Sequence, residues 1–113
     1  MNGQLTDLGA TLVRAARTAA RYRLYALPNT TPPKPGMLRV AETVGQGIEL
    51  EVWEMGMEAF GRFVAAIPPP LGIGTIELED GELVKGFLAE SYAVAGAAEI
   101  TRFGGWRNYL KER

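Results

Sequence analysis

The sequence predicts an α+β domain built on a mixed, strongly curved β-sheet with two or three inserted helices. Runs with strand-like alternation outnumber helical ones, one stretch has clear helical periodicity, and 14 glycines and 7 prolines divide the chain into short elements. A length of 113 residues suits one domain over residues 1–113. The predicted order is β-β-β-β-α-β-β-α.

The first half of the chain is predicted to hold four strands. A helical turn over residues 2–8 precedes them, with Gly9 where a helix commonly ends in a left-handed residue. The predicted strands are Thr11–Arg17, Tyr22–Leu27, residues 37–41 and residues 48–55. Helix competes for the first of these, because alanine is abundant there. Four prolines within residues 28–36 exclude helix and central strand between the second and third.

The second half is predicted to hold a helix, a β-hairpin and a terminal helix. Residues 57–67 have an apolar stripe at spacings of three and four, which we expect to pack in the core. The stripe consists of Met57, Phe60, Phe63, Val64 and Ile67. Asp80-Gly81, between residues 74–79 and Leu83–Ala89, is a strong hairpin signal. Residues 92–98 suit a helix or a loop, and residues 106–111 a helix.

Composition excludes several classes of function. The net charge is −1, and the arginines at 14, 17, 21 and 23 suit a solvent-facing surface better than a phosphate track, so no nucleic-acid partner is expected. The absence of cysteine and histidine removes disulfides, thiolate chemistry and the commonest metal ligand, so we expect no metal and no cofactor. No apolar run would span a bilayer and no signal peptide opens the chain, which predicts a cytoplasmic protein without a membrane partner.

Several short motifs together resemble one family. They are Asn2-Gly-Gln-Leu5, Tyr22-Arg-Leu-Tyr-Ala-Leu-Pro28, Pro32-Pro-Lys-Pro-Gly36, Glu51-Val-Trp-Glu54, Pro69-Pro-Leu-Gly-Ile-Gly-Thr75, Asp80-Gly-Glu-Leu-Val-Lys-Gly-Phe87 and Ile100-Thr-Arg-Phe-Gly-Gly-Trp-Arg107. In order and with compatible spacing, they resemble the C-terminal domain of allophanate hydrolases over nearly the whole chain. The resemblance implies a small barrel-like sheet with a cavity, similar to γ-glutamylcyclotransferases.

The resemblance also implies a function and two alternatives. It implies a small-molecule-binding, decarboxylating domain for carboxyurea or ureido compounds, in urea or amide-nitrogen metabolism. The sequence is expected to lack the amidase half of that family and the strand that precedes the opening motif there. The alternative is therefore a non-catalytic module that supports a separate amidase. A γ-glutamylcyclotransferase-like activity is disfavoured, because no carboxylate follows the helix in residues 66–70.

Candidate site residues lie at strand ends and in rigid loops, where binding sites are common. The catalytic candidates are Tyr25, Glu90 and Tyr92, as proton donors or acceptors. The ligand-binding candidates are Lys34, Leu71, Gly72, Gly74, Thr75 and Thr101. Lys34 would attract an anion, and the glycines would let backbone N–H groups approach one. The expected ligand is a small carboxylate or ureido metabolite, and exposed strand edges make a homodimer plausible.

Overall fold

The computed structural model describes residues 6–28 and 34–112. Beyond residue 10 this part of the chain forms seven strands, three α-helices and one 3-10 helix. The strands are β1 (Thr11–Arg17), β2 (Tyr22–Leu27), β3 (Lys34–Arg39), β4 (Glu49–Glu54), β5 (Leu71–Glu77), β6 (Leu83–Ala89) and β7 (Ala98–Glu99). The helices are α1 (Met57–Ala65), α2 (Ser91–Val94), the 3-10 turn Thr101–Phe103 and α3 (Trp106–Glu112).

The strands form three small antiparallel sheets. β1 pairs with β4, β5 pairs with β6, and β2 lies between β3 and β7. The α+β class is confirmed, but the prediction of a mixed sheet is wrong for the described strands, since each ladder among them is antiparallel. The cause lies in the connections: β5 and β6 are joined by a tight hairpin, which can only produce an antiparallel pair.

Several predicted boundaries change for local reasons. Gly9 has a φ of +77°, as expected for the end of a helical turn; residues 2–5 of that turn lie outside the described residues. β1 is a strand rather than a helix. β3 begins at Lys34 rather than at residue 37, with Pro35 opposite Ala26. A proline is tolerated there because β3 is an outer strand of its sheet.

Thr18 joins the ends of two sheets. It bridges to Leu78, and the flanking Ala19 and Glu79 amides donate hydrogen bonds across the junction at 2.9 and 3.0 Å. The buried Thr18 hydroxyl accepts a hydrogen bond from the Ile48 amide at 3.0 Å. These bonds connect the end of β1 to the end of β5 and to the residue before β4.

The core lies at the centre of the three sheets. Its members come from β2, β3, β5, the residue after β5, and the residues just before β4 and the 3-10 turn; they are Tyr22, Leu24, Met37, Ile48, Ile76, Leu78 and Ile100. The Tyr22 side chain is fully buried, and its hydroxyl accepts a hydrogen bond from the Glu77 amide at 2.9 Å. The one polar atom of this side chain therefore has a partner inside the core.

Helix α1 packs against the hairpin formed by β5 and β6. Phe63 is its one buried residue among those described, with its ring 5.5 Å from that of Phe87 on β6. The expectation that the whole stripe packs in the core is wrong: Met57 is 89% exposed and Val64 is 37% exposed. Helical periodicity shows which face is apolar, but the sheets cover only the middle of that face. No helix within the described residues is long and apolar enough to cross a membrane.

Candidate functional site

A cavity of about 450 Å³ lies beside the hairpin formed by β5 and β6. Its wall combines the first residues of β5, the last residues of β6 and the loop that follows α1. The lining residues are Ile67, Pro69, Pro70, Leu71, Gly72, Ile73, Gly74, Leu88, Ala89 and Glu90. We call this the wide cavity. Its size falls in the range of small-molecule sites, which is roughly 300–1,000 Å³.

Backbone hydrogen bonds fix the mouth of the wide cavity. The Leu71 amide donates to the Pro68 carbonyl at 3.2 Å, and the Glu90 amide donates to the Pro70 carbonyl at 3.0 Å. The peptide bond between Pro69 and Pro70 is cis. The proline loop is thus joined to both strands of the hairpin where the cavity opens.

The two glycines of β5 have different surroundings. A Cβ added at Gly74 would lie 2.6 Å from Leu88 Cδ1, so the missing side chain makes room for Leu88. A Cβ added at Gly72 would meet no described atom within 4 Å. Gly72 therefore leaves open space on the cavity wall, as required if a ligand is to approach the β5 backbone.

Glu90 places a carboxylate at the rim. It is exposed and follows the last residue of β6. Its amide is bonded to Pro70, and its carbonyl accepts a hydrogen bond from the Ala93 amide at 3.0 Å at the start of α2. Both sides of its backbone are therefore held, which fixes where the side chain begins.

A second, narrow cavity of about 90 Å³ adjoins the first. It is lined by Lys34, Phe63, Ala66, Ile67, Pro68, Leu71 and Phe87. Ile67 and Leu71 line both cavities, so they form a shared wall. The narrow cavity has apolar and aromatic walls, with Lys34 as the cationic residue among its described lining.

The remaining candidate residues lie elsewhere. Tyr25 is half-buried on β2, between Gly36 and Glu99 in the neighbouring strands, and Tyr92 is 63% exposed on α2. Thr75 is exposed and accepts a hydrogen bond from Lys85 at 2.8 Å. These three are not among the described residues that line either cavity.

Thr101 is a buried support inside the fold. Thr101 is 7% exposed, and its hydroxyl accepts a hydrogen bond from the Leu24 amide at 3.0 Å. Its carbonyl accepts a hydrogen bond from the Gln46 side chain at 2.8 Å. Like Tyr25, Tyr92 and Thr75, it is not among the described lining residues. The hydroxyl is used to hold β2, which leaves it poorly placed to contact a ligand.

Sequence reasoning missed part of each wall. Leu88 and Ala89 line the wide cavity because the hairpin register places them opposite Gly72 and Leu71. That signal was available, since the turn was identified and the register follows from it. Phe63 and Phe87 of the narrow cavity could not be identified in this way, because their contact joins two elements distant in sequence.

Each of the four arginines at 14, 17, 21 and 23 has a carboxylate nearby. Their ion pairs are Arg14 with Asp80 and Glu82, Arg17 with Glu49, Arg21 with Glu77, and Arg23 with Glu42. The pKa of the Asp80 carboxyl lies below its usual value. The main cause is the hydrogen bond from the Glu82 backbone amide, and the second is the positive charge of Arg14. Exposed pairs of this kind contribute little to stability.

Among the described residues, no group of three or more acidic side chains could hold a metal ion.

Comparison with known proteins gives a consistent result. The sequence model of the allophanate hydrolase C-terminal domain matches residues 1–111. Urea amidolyase from Lachancea kluyveri is 46% identical over 110 residues, which are 95% of this chain and 6% of that protein. The structure of Kluyveromyces lactis allophanate hydrolase is similar with a TM-score of 0.93 at 42% identity, over 98% of this chain and 19% of that one.

A shorter protein has the same fold. The crystal structure of c4763, a uropathogenic E. coli-specific protein, is similar with a TM-score of 0.87 at 37% identity. The match covers 99% of this chain and 85% of that chain. This chain thus spans about 6% of the length of the curated urea amidolyase but most of the length of c4763.

Proposed function

We propose that this chain binds a small carboxylated ureido compound in the wide cavity and removes the carboxyl group as CO2. The proposal starts from the family: the chain belongs to the allophanate hydrolase C-terminal domains. The supporting observation is the cavity itself: about 450 Å³, walled by the backbone of β5, open at Gly72 and with Glu90 at its rim. The corresponding role would lie in urea or amide-nitrogen metabolism.

The reaction requires little from the protein. The bond between nitrogen and the carboxyl carbon breaks, its electron pair stays on nitrogen, nitrogen takes up one proton, and CO2 leaves. Carboxyurea, which is the same compound as allophanate, would give urea and CO2, with the proton supplied by solvent at the rim. Glu90 would accept hydrogen bonds from the N–H groups of the compound and hold its nitrogen at the rim, where a proton can be delivered. Leu71 and Gly74 would complete the wall against which the compound is oriented.

Filling the open space at Gly72 tests the site. Thermal unfolding is measured with carboxyurea, malonate, biuret and urea, and with 5-oxoproline as a control compound. A ligand at a hundred times its Kd stabilises the fold by about 2.7 kcal/mol. In a domain of this size that raises Tm by roughly 10 °C. We expect the increase for wild type and its loss in Gly72→Leu, whose side chain would occupy the cavity.

Gly61→Leu is the matched control. Gly61 lies on the exposed side of α1, and an added Cβ there also meets no described atom within 4 Å. This variant should retain the ligand-induced increase in Tm. An equal loss in both variants would show that leucine perturbs the fold generally. Retention of the full increase in Gly72→Leu would place the ligand outside the wide cavity.

Release of CO2 from carboxyurea tests the catalytic part of the proposal. We expect a rate above the uncatalysed background, and a lower rate for Glu90→Ala because the reacting nitrogen loses its acceptor. Binding without CO2 release would leave a ligand-binding domain and reject decarboxylation. Release at the wild-type rate by Glu90→Ala would reject the role of Glu90.

A second candidate is an accessory module for a separate amidase. The observation that favours it is the coverage: the chain corresponds to 19% of the solved K. lactis allophanate hydrolase chain, so the matched domain is one part of a longer chain there. Mixing the purified chain with a purified amidase of that family, followed by analytical ultracentrifugation, should then reveal a complex. Ammonia release from allophanate should rise in the same mixture. Independent sedimentation of the two proteins would reject this candidate.

Three further expectations stay predictions. A barrel-like closure similar to γ-glutamylcyclotransferases is supported by the hydrogen bonds that join the ends of β1 and β5. Pairing of two copies and a cytoplasmic location rest on the sequence alone. Analytical ultracentrifugation of the chain by itself measures whether two copies pair.

A further inference from the structure

We infer that helix α1 is a lid over the narrow cavity, which moves away from the sheets while they stay folded and closes when the wide cavity is occupied. The inference goes beyond the proposed function, because the opening of α1 is measured without any ligand. Its last clause, closure over an occupied cavity, rests on the proposed function. Three features of α1 support it: its polar bonds, its burial and the void beneath it.

The polar bonds of α1 stay within the helix. In the part of the chain that the structure describes, no side chain of α1 forms a hydrogen bond or ion pair with another element, and Arg62 pairs with Glu58 of the same helix at 2.7 Å. Helix α3 differs, because Asn108 donates hydrogen bonds to Glu49 of β4 at 3.2 Å and to the Phe103 carbonyl at 3.1 Å. Polar bonds thus attach α3 to the sheets, whereas the described contacts of α1 with them are apolar.

Burial of α1 is confined to one strip of the helix. Phe63 is buried, and its ring centroid lies 5.5 Å from that of Phe87 on β6. Ala59 and Phe60 are half-buried, and the other six residues of α1 are exposed. An element with so few buried apolar groups opens at a low free-energy cost. Once it has left the sheets, a helix of nine residues is too short to keep its hydrogen bonds in water.

The narrow cavity lies between α1 and the sheets. Phe63 and Ala66 line it from the helical side, and Leu71 and Phe87 line it from the hairpin, around a volume of about 90 Å³. The interface is therefore incompletely filled, and apolar groups on both sides lack contacts that a closer approach of α1 would supply. Closure of the lid would bury this apolar surface.

The segment after α1 couples its movement to the wide cavity. Ile67 lines both cavities and directly follows the last turn of the helix. The next residues are held, because the Pro68 carbonyl accepts a hydrogen bond from the Leu71 amide at 3.2 Å. The other end of α1 is joined to β4 through Met55 and the exposed Gly56. A pivot of α1 about its held end therefore changes the position of Ile67 on the wall that the two cavities share.

Native-state hydrogen exchange followed by NMR separates opening of α1 from unfolding of the domain. The amides compared are those of Phe63 and Val64 in α1 and those of Ile76 and Val84, which are partners in the β5–β6 ladder. The α1 amides should have opening constants at least about tenfold larger than the hairpin amides. Low urea concentrations should hardly accelerate the α1 amides, because opening of the lid exposes little surface, but should accelerate the hairpin amides strongly. Equal opening constants with equal urea dependence would overturn the lid.

Phe63→Ala removes the buried ring that holds α1 on the hairpin. The α1 amides should lose their protection in this variant while Ile76 and Val84 stay protected, since the sheets remain folded when the lid is open. Phe63→Leu, which keeps a large apolar side chain, should retain part of the protection of α1. Met57→Ala is the matched control, because Met57 is 89% exposed, and should leave both sets of amides unchanged. Simultaneous loss of protection in α1 and in the hairpin of Phe63→Ala would overturn the lid.

The same exchange measured with saturating carboxyurea tests closure. The Phe63 and Val64 amides should exchange at least about tenfold more slowly with the compound than without it, since a ligand that favours the closed lid lowers the population of the open one. Slower exchange of the hairpin amides alone would show binding without closure and overturn the lid as a closing device. No slowing at any amide would overturn closure and the proposed binding together. Opening of α1 in the free protein does not depend on that result, so failure of the proposed function is distinguishable from failure of the lid.

Discussion

Replacement of Thr101 by valine tests whether this residue supports the fold or contacts a ligand. Valine keeps the shape of threonine but removes the oxygen that accepts the Leu24 amide at 3.0 Å. Leu24 is 4% exposed, so solvent is poorly placed to replace the lost partner. A buried donor left without an acceptor costs about 1–3 kcal/mol. In a domain of this size that corresponds to a fall in Tm of roughly 5–15 °C.

Thermal unfolding followed by circular dichroism measures the effect, with Thr101→Ser as the matched control. Serine retains the oxygen and loses one methyl group, so it should cost about 1 kcal/mol. Carboxyurea affinity should be unchanged in both variants. A valine variant as stable as wild type that no longer binds ligand would refute the structural role and return Thr101 to the binding site.

Two further predictions concern the core junction and the hairpin turn. Gly47→Ala should destabilise the fold by about 3 kcal/mol, because its Cβ would overlap the backbone oxygen of Thr18. Gly45→Ala, with no described atom within 4 Å of the added Cβ, should be nearly neutral. Urea-induced unfolding of wild type and both variants measures the difference. The lowered pKa of Asp80, caused first by the backbone amide two residues further on and then by Arg14, predicts a stabilising carboxylate. The stability difference between wild type and Asp80→Asn should be full above about pH 4, the usual unfolded pKa, and should vanish as pH falls through the folded pKa. A difference that persists in acid would contradict this assignment.

Features set by neighbouring residues were predictable from the sequence. The hairpin is the best example: Gly81 has a φ of +91°, and the Glu82 amide donates to the Asp80 carboxylate at 2.9 Å. Both follow from the local chemistry of Asp-Gly. The position of α1, which starts at Met57, was likewise predictable. The strand pattern of β4 limits the helical segment on its N-terminal side, and the end of the apolar spacing at Pro68 limits it on its C-terminal side.

Features set by distant residues were not predictable. β7 is only two residues long and exists because Glu99 and Ala98 pair with Tyr25 and Ala26. No local pattern marks so short a strand. The exposure of Met57 has a similar origin, since it depends on where the sheets end and not on the helix itself.

The candidate site divides in the same way. Leu71, Gly72, Gly74 and Glu90 were proposed from the rule that rigid strand-end loops carry sites, and all four line the wide cavity. Lys34 was proposed from its charge and lines the adjoining cavity. Which face of the hairpin opens into a cavity depends on α1 and its following loop, so the wall residues that these two segments contribute could not be identified from sequence.

Amide NMR of the 15N-labelled chain titrated with carboxyurea tests the central claim most directly. Binding in the wide cavity should shift the amide signals of Leu71, Gly72 and Glu90 most, with smaller changes at Thr75 and Thr101. A titration that leaves those three signals unmoved, or that shifts residues on a different face of the domain, would contradict the proposed site.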